Sequence, residues 1–444
     1  MTGWVFTALA LAAFAVLAVT RSRTVLTYFQ QEEYDGSRLF GVLREQRVFD
    51  ILFSLSLIAA VGLAALGLPG WAAGLGLLAA SLVIVRREHL YRYKKPLVMT
   101  DRATDIYRLS TALYLVSGGL ALIHPLLLLV SVQLAPLATI LANRAFAGRR
   151  ERENAGYVRL GKAKLAECSP VTIGVTGSFG KTTTKYLLAS ALAASGPVFY
   201  SQGSINTVLG LTRHIRQRLQ PSHRWFIAEM GAYGIGSIQR LCDFAEPGHG
   251  LITSIGAAHM ERFGSLETIS RAKSELAAFV LARGGYAVMP LALLEFEVFA
   301  ELKAAHPDRL VSVGDTPDAD MRVVDAQYTE AGWRVTLEDS RDDRAVAFTV
   351  PLIGDHNILN ASLAMALTLL LAPASADDAV LNISVTEQVP HRLQKKDRGD
   401  GILVLDDAYN SNEAGFRSAV AELRRLADLR GGRAILVTPG LAEL

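Results

Sequence analysis

A lysine and a threonine directly follow a glycine-rich turn, in a pattern that binds phosphate. The stretch is Val175-Thr176-Gly177-Ser178-Phe179-Gly180-Lys181-Thr182-Thr183-Thr184. In such a turn the backbone N–H groups and the following helix N-terminus face an anion, the lysine reaches the β- and γ-phosphates, and the threonine hydroxyl can ligate Mg²⁺. The strict spacing would place a glycine at position 175, where this chain has valine. An ordinary glycine turn is therefore the alternative to the nucleotide-binding loop that we predict.

The elements that must hold this turn follow from composition. Residues 171–175 are a short β-branched run, typical of a buried strand, and residues 186–194 are rich in leucine and alanine, which favours a helix. Downstream, strand-like and helix-like stretches alternate, as they do in a doubly wound sheet. We therefore predict an α/β fold in which a doubly wound central domain carries the P-loop.

Two further predicted strands lead to side chains that can ligate a metal ion. Residues 225–228 are followed by Glu229, and residues 250–255 by a turn that ends at His259. Ligands of such sheets collect at the carboxyl ends of the strands. We predict that Thr182, Glu229 and His259 ligate Mg²⁺ beside ATP, although a single strand-end glutamate or histidine is more often structural.

The N-terminal third has the composition of a helical transmembrane module. Hydrophobic residues make up 51% of the chain, and its mean hydropathy of +0.28 is high for a soluble protein. Apolar runs cover residues 4–20, 52–68, 71–85 and 109–143. The last run must cross twice, by turning at His124-Pro125, if the phosphate-binding loop is to face cytosolic ATP. We predict about five spans within residues 1–147.

Basic residues between the apolar runs indicate the orientation. They cluster in residues 21–47, 86–108 and 144–152, which the positive-inside rule places in the cytosol. The protein would then be multi-pass in the cell (inner, cytoplasmic) membrane, with its catalytic domains cytosolic. The basic excess of the chain sits in these short loops and its overall net charge is only +3, so we predict no nucleic-acid partner.

Seven motifs resemble those of the Mur ligases, a family of ATP-dependent amide ligases of cell-wall synthesis. The loop at residues 175–183 matches that family, which also lacks the first glycine. The other six follow in the family's order at residues 228–232 (AEMGA), 255–267 (IGAAHMERFGSLE), 271–275 (RAKSE), 354–361 (GDHNILNA), 391–393 (HRL) and 406–412 (DDAYNSN). The second and last of these six are most similar to the branch that adds D-alanyl-D-alanine.

The resemblance implies an ATP-dependent amide ligase of peptidoglycan precursor synthesis, using ATP and Mg²⁺. The γ-phosphate would pass to a substrate carboxylate, and an amine would then attack the acyl phosphate, release phosphate and leave an amide. The implied partners are a cell-envelope precursor and an amino acid or dipeptide. Membrane spans stand where the family has a soluble domain that grips a uridine nucleotide, so a lipid-linked precursor is a further hypothesis.

The resemblance also assigns residue roles. The family's carbamylated lysine matches Lys273, its second magnesium ligand matches His259, and a segment that positions the acceptor matches Asn206. Together with Lys181, these are the predicted catalytic residues. The predicted nucleotide-binding residues are Gly177, Ser178, Gly180, Lys181, Thr182 and Thr183 in the loop, Asn357 and Asn360 around the adenine, Arg392 at the phosphates and Asp407 near the ribose.

The C-terminal part is predicted to be a partial Rossmann-like domain. Residues 401–405 and 434–438 are typical of strands, and residues 413–429 of a helix between them. The family's third domain continues further, and half a sheet would expose an unpaired edge, so we expect a fragment. The predicted division is a transmembrane module at 1–147, a linker helix at 148–170, a central ATP-binding domain at 171–389 and a partial ligase domain at 390–444.

Two other function classes stay open. A P-loop ATPase coupled to membrane transport would need charged residues within the spans, and the apolar runs carry almost none. A nucleotide-binding scaffold for envelope enzymes would not need to keep Lys181, Glu229, His259 and Lys273. A ligase acting on a substrate outside peptidoglycan also stays open.

Overall fold

The structure is a computed structural model, and it describes residues 2–32, 34–45, 50–91, 96–258, 260–329, 331–342, 344–408, 413–438 and 440. The chain forms two compact units, Met1–Glu153 and Asn154–Leu444. Their division falls inside the charged segment that was predicted as a linker helix. The finer division into four parts stays a prediction.

The first unit is helical throughout its described elements. Its α-helices are α1 (Thr2–Gln31), α2 (Gly36–Glu45), α3 (Ile51–Ala65), α4 (Gly70–Leu90), α5 (Asp101–Ser117), α6 (Leu128–Ser131) and α7 (Ala135–Cys168), and α7 runs on into the second unit. Residues 148–168, most of the predicted linker, are thus the second half of a longer helix.

Helix α1 corrects one sequence prediction. The first apolar run was expected to end at residue 20, with Arg21 opening a loop, but the helix continues to Gln31. The charge does not end the helix because the Arg21 guanidinium is paired inside the unit. Its Nη1 lies 2.8 Å from Glu88 Oε1, and its Nε donates to Asp50 Oδ2 at 3.1 Å.

The turn predicted at His124-Pro125 is present. The side chain of His124 caps a short 3₁₀ turn that begins at Pro125. Hydrogen bonds join the two arms, because Tyr114 Oη donates to Val132 O at 2.8 Å and Ser131 Oγ donates to Ser117 O at 2.7 Å. Short 3₁₀ segments interrupt both arms near the turn.

Three described helical stretches are long and apolar enough to cross a membrane, as judged by length and composition. They are Trp4–Gln31, Gly70–Leu90 and Pro125–Cys168. Helix α3 is apolar but has only 15 residues, fewer than the roughly 20 that a perpendicular span needs. The count of five spans therefore stays a prediction.

The second unit is built on a mixed nine-stranded sheet. Its strands are β1 (Val171–Thr176), β2 (Val198–Tyr200), β3 (Trp225–Glu229), β4 (His249–Ile252), β5 (Ala287–Pro290), β6 (Leu310–Gly314), β7 (Met321–Thr329), β8 (Gly332–Asp339) and β9 (Arg344–Val350). They are ordered β2-β3-β1-β4-β5-β6-β7-β8-β9. Neighbours are parallel as far as β7, and β7, β8 and β9 are antiparallel. The first strand of the P-loop unit thus lies inside the sheet, as its β-branched composition predicts.

Helices cover both faces of this sheet, as the predicted doubly wound domain requires. The helices are α8 (Lys181–Leu192), α9 (Val208–Arg218), α10 (Ser237–Ala245), α11 (Met260–Phe263), α12 (Leu266–Leu281), α13 (Glu297–Ala305), α14 (His356–Leu371) and α15 (Ala376–Ser384). One apolar core packs α8, α14 and α15 against the sheet, and the other packs α9, α10, α12 and α13. Alternate side chains of β3 enter the two cores, since Ile227 lies in one and Phe226 in the other.

The C-terminal residues differ in part from the prediction. Strands β10 (Gln394–Asp397) and β11 (Leu403–Asp406) form an antiparallel pair, and α16 (Glu413–Leu429) has the predicted bounds. Residues 434–438 were expected to form a strand, but they have no strand conformation, and Ile435 and Val437 are exposed. A strand needs a partner for its backbone groups, and in the described part of the chain this segment pairs with none. The described part of this region is therefore a hairpin and a helix rather than a parallel Rossmann-like unit.

Candidate active site

The glycine-rich loop connects β1 to α8 and requires two of its glycines. Gly177 has φ +154° and Gly180 has φ +79°, values that favour glycine. A Cβ on Gly177 would lie 1.9 Å from Thr253 Oγ1, and a Cβ on Gly180 would lie 2.6 Å from Asn360 Oδ1. The loop therefore runs too close to its neighbours for any side chain at these two positions.

The loop forms hydrogen bonds with the segment that follows β4. Ser178 N donates to Ser254 O at 2.8 Å, and Phe179 N donates to Ser254 Oγ at 2.9 Å. Gly256 N donates to Ser178 Oγ at 2.9 Å. These hydrogen bonds tie the loop to the segment that follows β4, its neighbour in the sheet.

Lys181 lies over the loop from the first turn of α8. Its Nζ donates to Gly177 O at 2.6 Å and to Ser178 O at 3.1 Å. Burial lowers the pKa of this ammonium below its ordinary value, and the nearby Glu229 carboxylate opposes that effect. The loop carbonyls hold the ammonium over the turn, where the sequence predicted a phosphate-binding cation.

Glu229 ends β3 and is shared by three donors. Its Oε2 accepts hydrogen bonds from Thr182 Oγ1 and Lys185 Nζ, both at 2.9 Å. Its Oε1 accepts from Asn206 Nδ2 at 3.5 Å. Lys185 was missed by the sequence analysis, although its position four residues after Lys181 puts it on the same side of the helix.

The donor set fits a magnesium ion. Mg²⁺ is commonly held by one or two protein oxygens together with water and substrate phosphates. Thr182 supplies a hydroxyl and Glu229 a carboxylate, and both line one cavity with Lys181. Within the described ranges, no cluster of three His, Cys, Asp or Glu side chains could hold a metal by itself. The predicted ligand His259 lies outside the described residues.

A cavity of about 960 Å³ collects most of the predicted site. Its lining includes Ser178, Gly180, Lys181, Thr182, Thr183, Asn206, Glu229, Asn357, Asn360, Arg392 and Asp407. Gly177 and Lys273 are not among the lining residues. Residues that lie far apart in the sequence, from the loop to the C-terminal hairpin, are thus brought to one cavity, whose volume is within the range of small-molecule sites.

The predicted adenine-binding amides are engaged inside the protein. Asn357 Nδ2 donates to Ile353 O at 2.7 Å, and Asn360 Nδ2 donates to Asn357 Oδ1 at 3.1 Å. Asn360 Oδ1 also accepts from Thr184 Oγ1 at 3.2 Å. Asn360 thus links α14 to α8, and Asn357 orients Asn360. Both residues also line the cavity, so a structural role accompanies the predicted binding role.

Lys273 is buried on α12, with 4% of its surface exposed. Burial and, to a smaller extent, the neighbouring charge of Lys181 together lower its pKa to about 7. Among the described residues, no hydrogen bond or ion pair holds its ammonium group. A neutral amine is the form that reacts with CO₂, so this environment favours the predicted carbamylation.

The C-terminal hairpin brings Arg392 and Asp407 to the cavity. The residues on either side of the arginine, His391 and Leu393, have φ +60° and +50°, a strained conformation that points to a functional constraint. Burial raises the pKa of the Asp407 carboxyl above its ordinary value. A hydrogen bond from Leu393 N to Asp407 Oδ1 at 3.0 Å opposes this effect in part. A hydrogen bond also joins α16 to the residue before α14, since Ser418 Oγ donates to Asp355 Oδ1 at 3.2 Å.

Comparison with known proteins identifies the family of this site. Residues 175–368 match the Mur ligase middle domain. The chain is 32% identical over 313 residues to the UDP-N-acetylmuramoyl-tripeptide–D-alanyl-D-alanine ligase of Mycobacterium tuberculosis, which covers 67% of this chain and 59% of that protein. The enzyme of the same name from Escherichia coli is 30% identical over 272 residues, or 61% of this chain and 58% of its own.

Solved structures give the same result. MurF from Acinetobacter baumannii superposes with a TM-score of 0.54 and 27% identity, covering 61% of this chain and 58% of that one. MurF from Thermotoga maritima in complex with ADP gives a TM-score of 0.53 and 26% identity, covering 61% of each chain. The chain thus spans less than two thirds of the length of these relatives. It carries a Mur ligase middle domain and resembles, within the Mur ligase family, the ligases that add D-alanyl-D-alanine.

Proposed function

We propose that this chain is a membrane-anchored, ATP-dependent amide ligase of the Mur type that acts in peptidoglycan precursor synthesis. The observation that supports it most is the convergence of Lys181, Thr182, Glu229 and Asn206 on one cavity of a Mur ligase middle domain. Phosphoryl transfer depends mainly on positioning and on charge neutralisation, and these residue types supply both.

Each residue would have one task. Lys181 and the loop amides bind the ATP phosphates, Thr182 and Glu229 hold one Mg²⁺, and His259 helps hold a second. Asn206 orients the acceptor carboxylate, and carbamylated Lys273 supplies a negative charge beside the metal. Asn357 and Asn360 bind the adenine, Arg392 the phosphates and Asp407 the ribose. Magnesium supplies charge neutralisation on the transferring phosphoryl group.

We take the substrates from the relatives' names. Those enzymes join a UDP-N-acetylmuramoyl-tripeptide to D-alanyl-D-alanine. By analogy, the acceptor here is a carboxylate of a cell-envelope precursor and the amine is an amino acid or dipeptide. The long apolar helices of the first unit favour a lipid-linked precursor over a soluble one.

The proposed location is the cell membrane, with the second unit in the cytosol. Three helices satisfy the length and apolarity of a span, and basic residues flank them in the pattern of cytosolic loops. We keep five spans as the proposed topology. We also keep residues 1–147, 148–170, 171–389 and 390–444 as the proposed division of the chain.

Phosphate release tests this proposal. The full chain in detergent is supplied with ATP and Mg²⁺, and a panel of amines is crossed with UDP-linked and lipid-linked peptide acceptors. Release that needs both an amine and an acceptor supports the ligase, and a clear preference for the UDP-linked acceptor contradicts the lipid-linked form. Release indifferent to every amine favours a transport ATPase, and ATP binding without turnover favours a scaffold. Lys273→Ala, with and without bicarbonate, tests the carbamylation.

A further inference from the structure

Lys185 is a buried cation with no role in the proposed reaction. Its side chain is 0% exposed, and that of its partner Glu229 is 1% exposed. The ammonium donates to Glu229 Oε2 at 2.9 Å and to Gly203 O at 2.6 Å. A charge buried this deeply is tolerated only when it is paired and hydrogen-bonded, so both contacts are required for its place in the fold.

The two lysines of α8 are used differently. Lys181 lines the cavity, whereas Lys185, one helical turn further, is not among the lining residues. Lys181 contacts the carbonyls of its own loop, and Lys185 contacts a strand end and a second loop. Only the first therefore faces the space that a ligand would enter.

The second loop, residues 201–206, is the acceptor loop, because it carries Asn206. Its first residue is tied to β3, and its last residue to the segment that follows β3. Glu229 N donates to Ser201 Oγ at 3.3 Å, and Gly231 N donates to Asn206 O at 2.9 Å. The Lys185 contact with Gly203 O holds the middle of the acceptor loop. Without this lysine, the middle of the loop would lose its tie to α8.

We propose that Lys185 is a positioning residue that holds the Glu229 carboxylate on Thr182 and ties it to the acceptor loop, so that the metal-binding and acceptor-binding groups form one unit. The assignment of metal and acceptor to these groups rests on the proposed function. The alternative is an ion pair that stabilises the fold and nothing more. That alternative predicts a change in global stability, but no selective change in the loop or in magnesium dependence.

Hydrogen exchange of the metal-free and nucleotide-free full chain tests the tie directly. Lys185→Met should speed amide exchange within residues 201–206 by on the order of tenfold relative to peptides of β5 and β6. The matched control is Lys162→Met, which changes an exposed lysine of α7 and should leave exchange within residues 201–206 unchanged. Exchange that rises equally everywhere, or not at all, would overturn the proposal. If the methionine variant does not fold, Lys185→Gln keeps a donor and should give a smaller rise in the same peptides.

Calorimetric binding of ADP at increasing Mg²⁺ tests the effect on the metal site. Lys185→Met should raise the Mg²⁺ midpoint about tenfold, while ADP affinity without Mg²⁺ changes by less than about threefold. In a Glu229→Gln background the same substitution should have no further effect on the midpoint, because Lys185 acts through that carboxylate. An additive effect, or an unchanged midpoint, would contradict the positioning role. If the unsubstituted chain binds no ADP, the proposed function fails, and the exchange experiment still decides whether Lys185 ties the loop.

Discussion

In each of the two units a cation with little solvent exposure is paired with carboxylate, Arg21 in the first and Lys185 in the second, but the arrangements differ. In the first unit, Arg21 bridges two acids from other parts of the chain, Asp50 before α3 and Glu88 on α4. In the second unit, a single acid, Glu229, receives Lys185 together with two neutral donors. One network has an excess of carboxylates around a cation, and the other has an excess of donors around a carboxylate.

The remaining partners show what each network does. Asp50 also caps α3 by accepting from Phe53 N at 3.0 Å, and Glu88 accepts from Thr24 Oγ1 at 2.8 Å. Each acid of the first network is therefore bound to a helix, which suits a fixed connection of α1, α3 and α4. Glu229 instead lies at a cavity and shares an oxygen with a threonine hydroxyl. We infer that the first network stabilises structure, whereas the second can exchange a partner for a ligand.

Lys181→Ala should have the largest effect on activity. The substitution removes the cation that faces the phosphates while leaving the Glu229 network in place. We expect the rate of acceptor-dependent phosphate release to fall by about 10²–10³-fold. Lys162→Ala, at an exposed position of α7, is the control and should leave the rate unchanged. A near-normal rate in the Lys181→Ala variant would contradict the assignment of the second unit's cavity as the catalytic site.

Arg21→Met should have the largest effect on stability. Removing one partner of a buried ionic network leaves the carboxylates unpaired, which costs about 3–5 kcal/mol. Unfolding of the full chain in detergent, followed by denaturant titration, measures this loss. Phosphate release per folded molecule should stay the same. A variant that keeps its stability but loses its rate would show that the first network serves catalysis.

Lys273 should make stability depend on pH. Its pKa is lowered to about 7 in the folded protein, from an ordinary value of 10.5. Between these values the unfolded chain binds more protons, so stability rises with pH across this window, with a slope of at most about 1.4 kcal/mol per pH unit from this group. Lys273→Met should remove that share of the slope, as measured by denaturant titration in bicarbonate-free buffer. An equal slope in both proteins would show that the ammonium is not destabilised by burial.

Ser418→Ala should have the smallest effect. The hydroxyl joins α16 to Asp355 near the cavity, but the aspartate is exposed to solvent. The lost hydrogen bond is worth about 1 kcal/mol or less, so KM for ATP should rise by less than about fivefold. A larger rise, with stability unchanged, would show that this link closes the C-terminal hairpin and α16 over the nucleotide.

The sequence predicted best what depends on neighbouring residues. The loop around Gly177, the strand that ends at Glu229 and the helix at residues 413–429 all follow from local composition and spacing. The cavity could be predicted only through the family resemblance, since Arg392 and Asp407 lie far along the chain from the loop.

The structure differs from the sequence predictions where contacts between distant parts of the chain decide the outcome. In the sequence, Lys185 cannot be told from a lysine on the surface of a helix. Its burial against Glu229 is visible only in the folded structure. Arg21 was assigned to a loop because its partners, Asp50 and Glu88, are distant in sequence. The apolar residues at 434–438 are typical of a strand, but strand formation requires a partner that local composition cannot supply.

An isotope transfer measures the central claim, amide formation through an activated carboxylate, most directly. A UDP-N-acetylmuramoyl-tripeptide labelled with ¹⁸O in its terminal carboxylate, or its lipid-linked form, is incubated with the full chain, ATP, Mg²⁺ and D-alanyl-D-alanine. If the carboxylate is phosphorylated before the amine attacks, one ¹⁸O atom passes to inorganic phosphate for each amide formed, and mass spectrometry detects both products. Phosphate that is released without the label, with its new oxygen drawn from water, would contradict the ligase assignment.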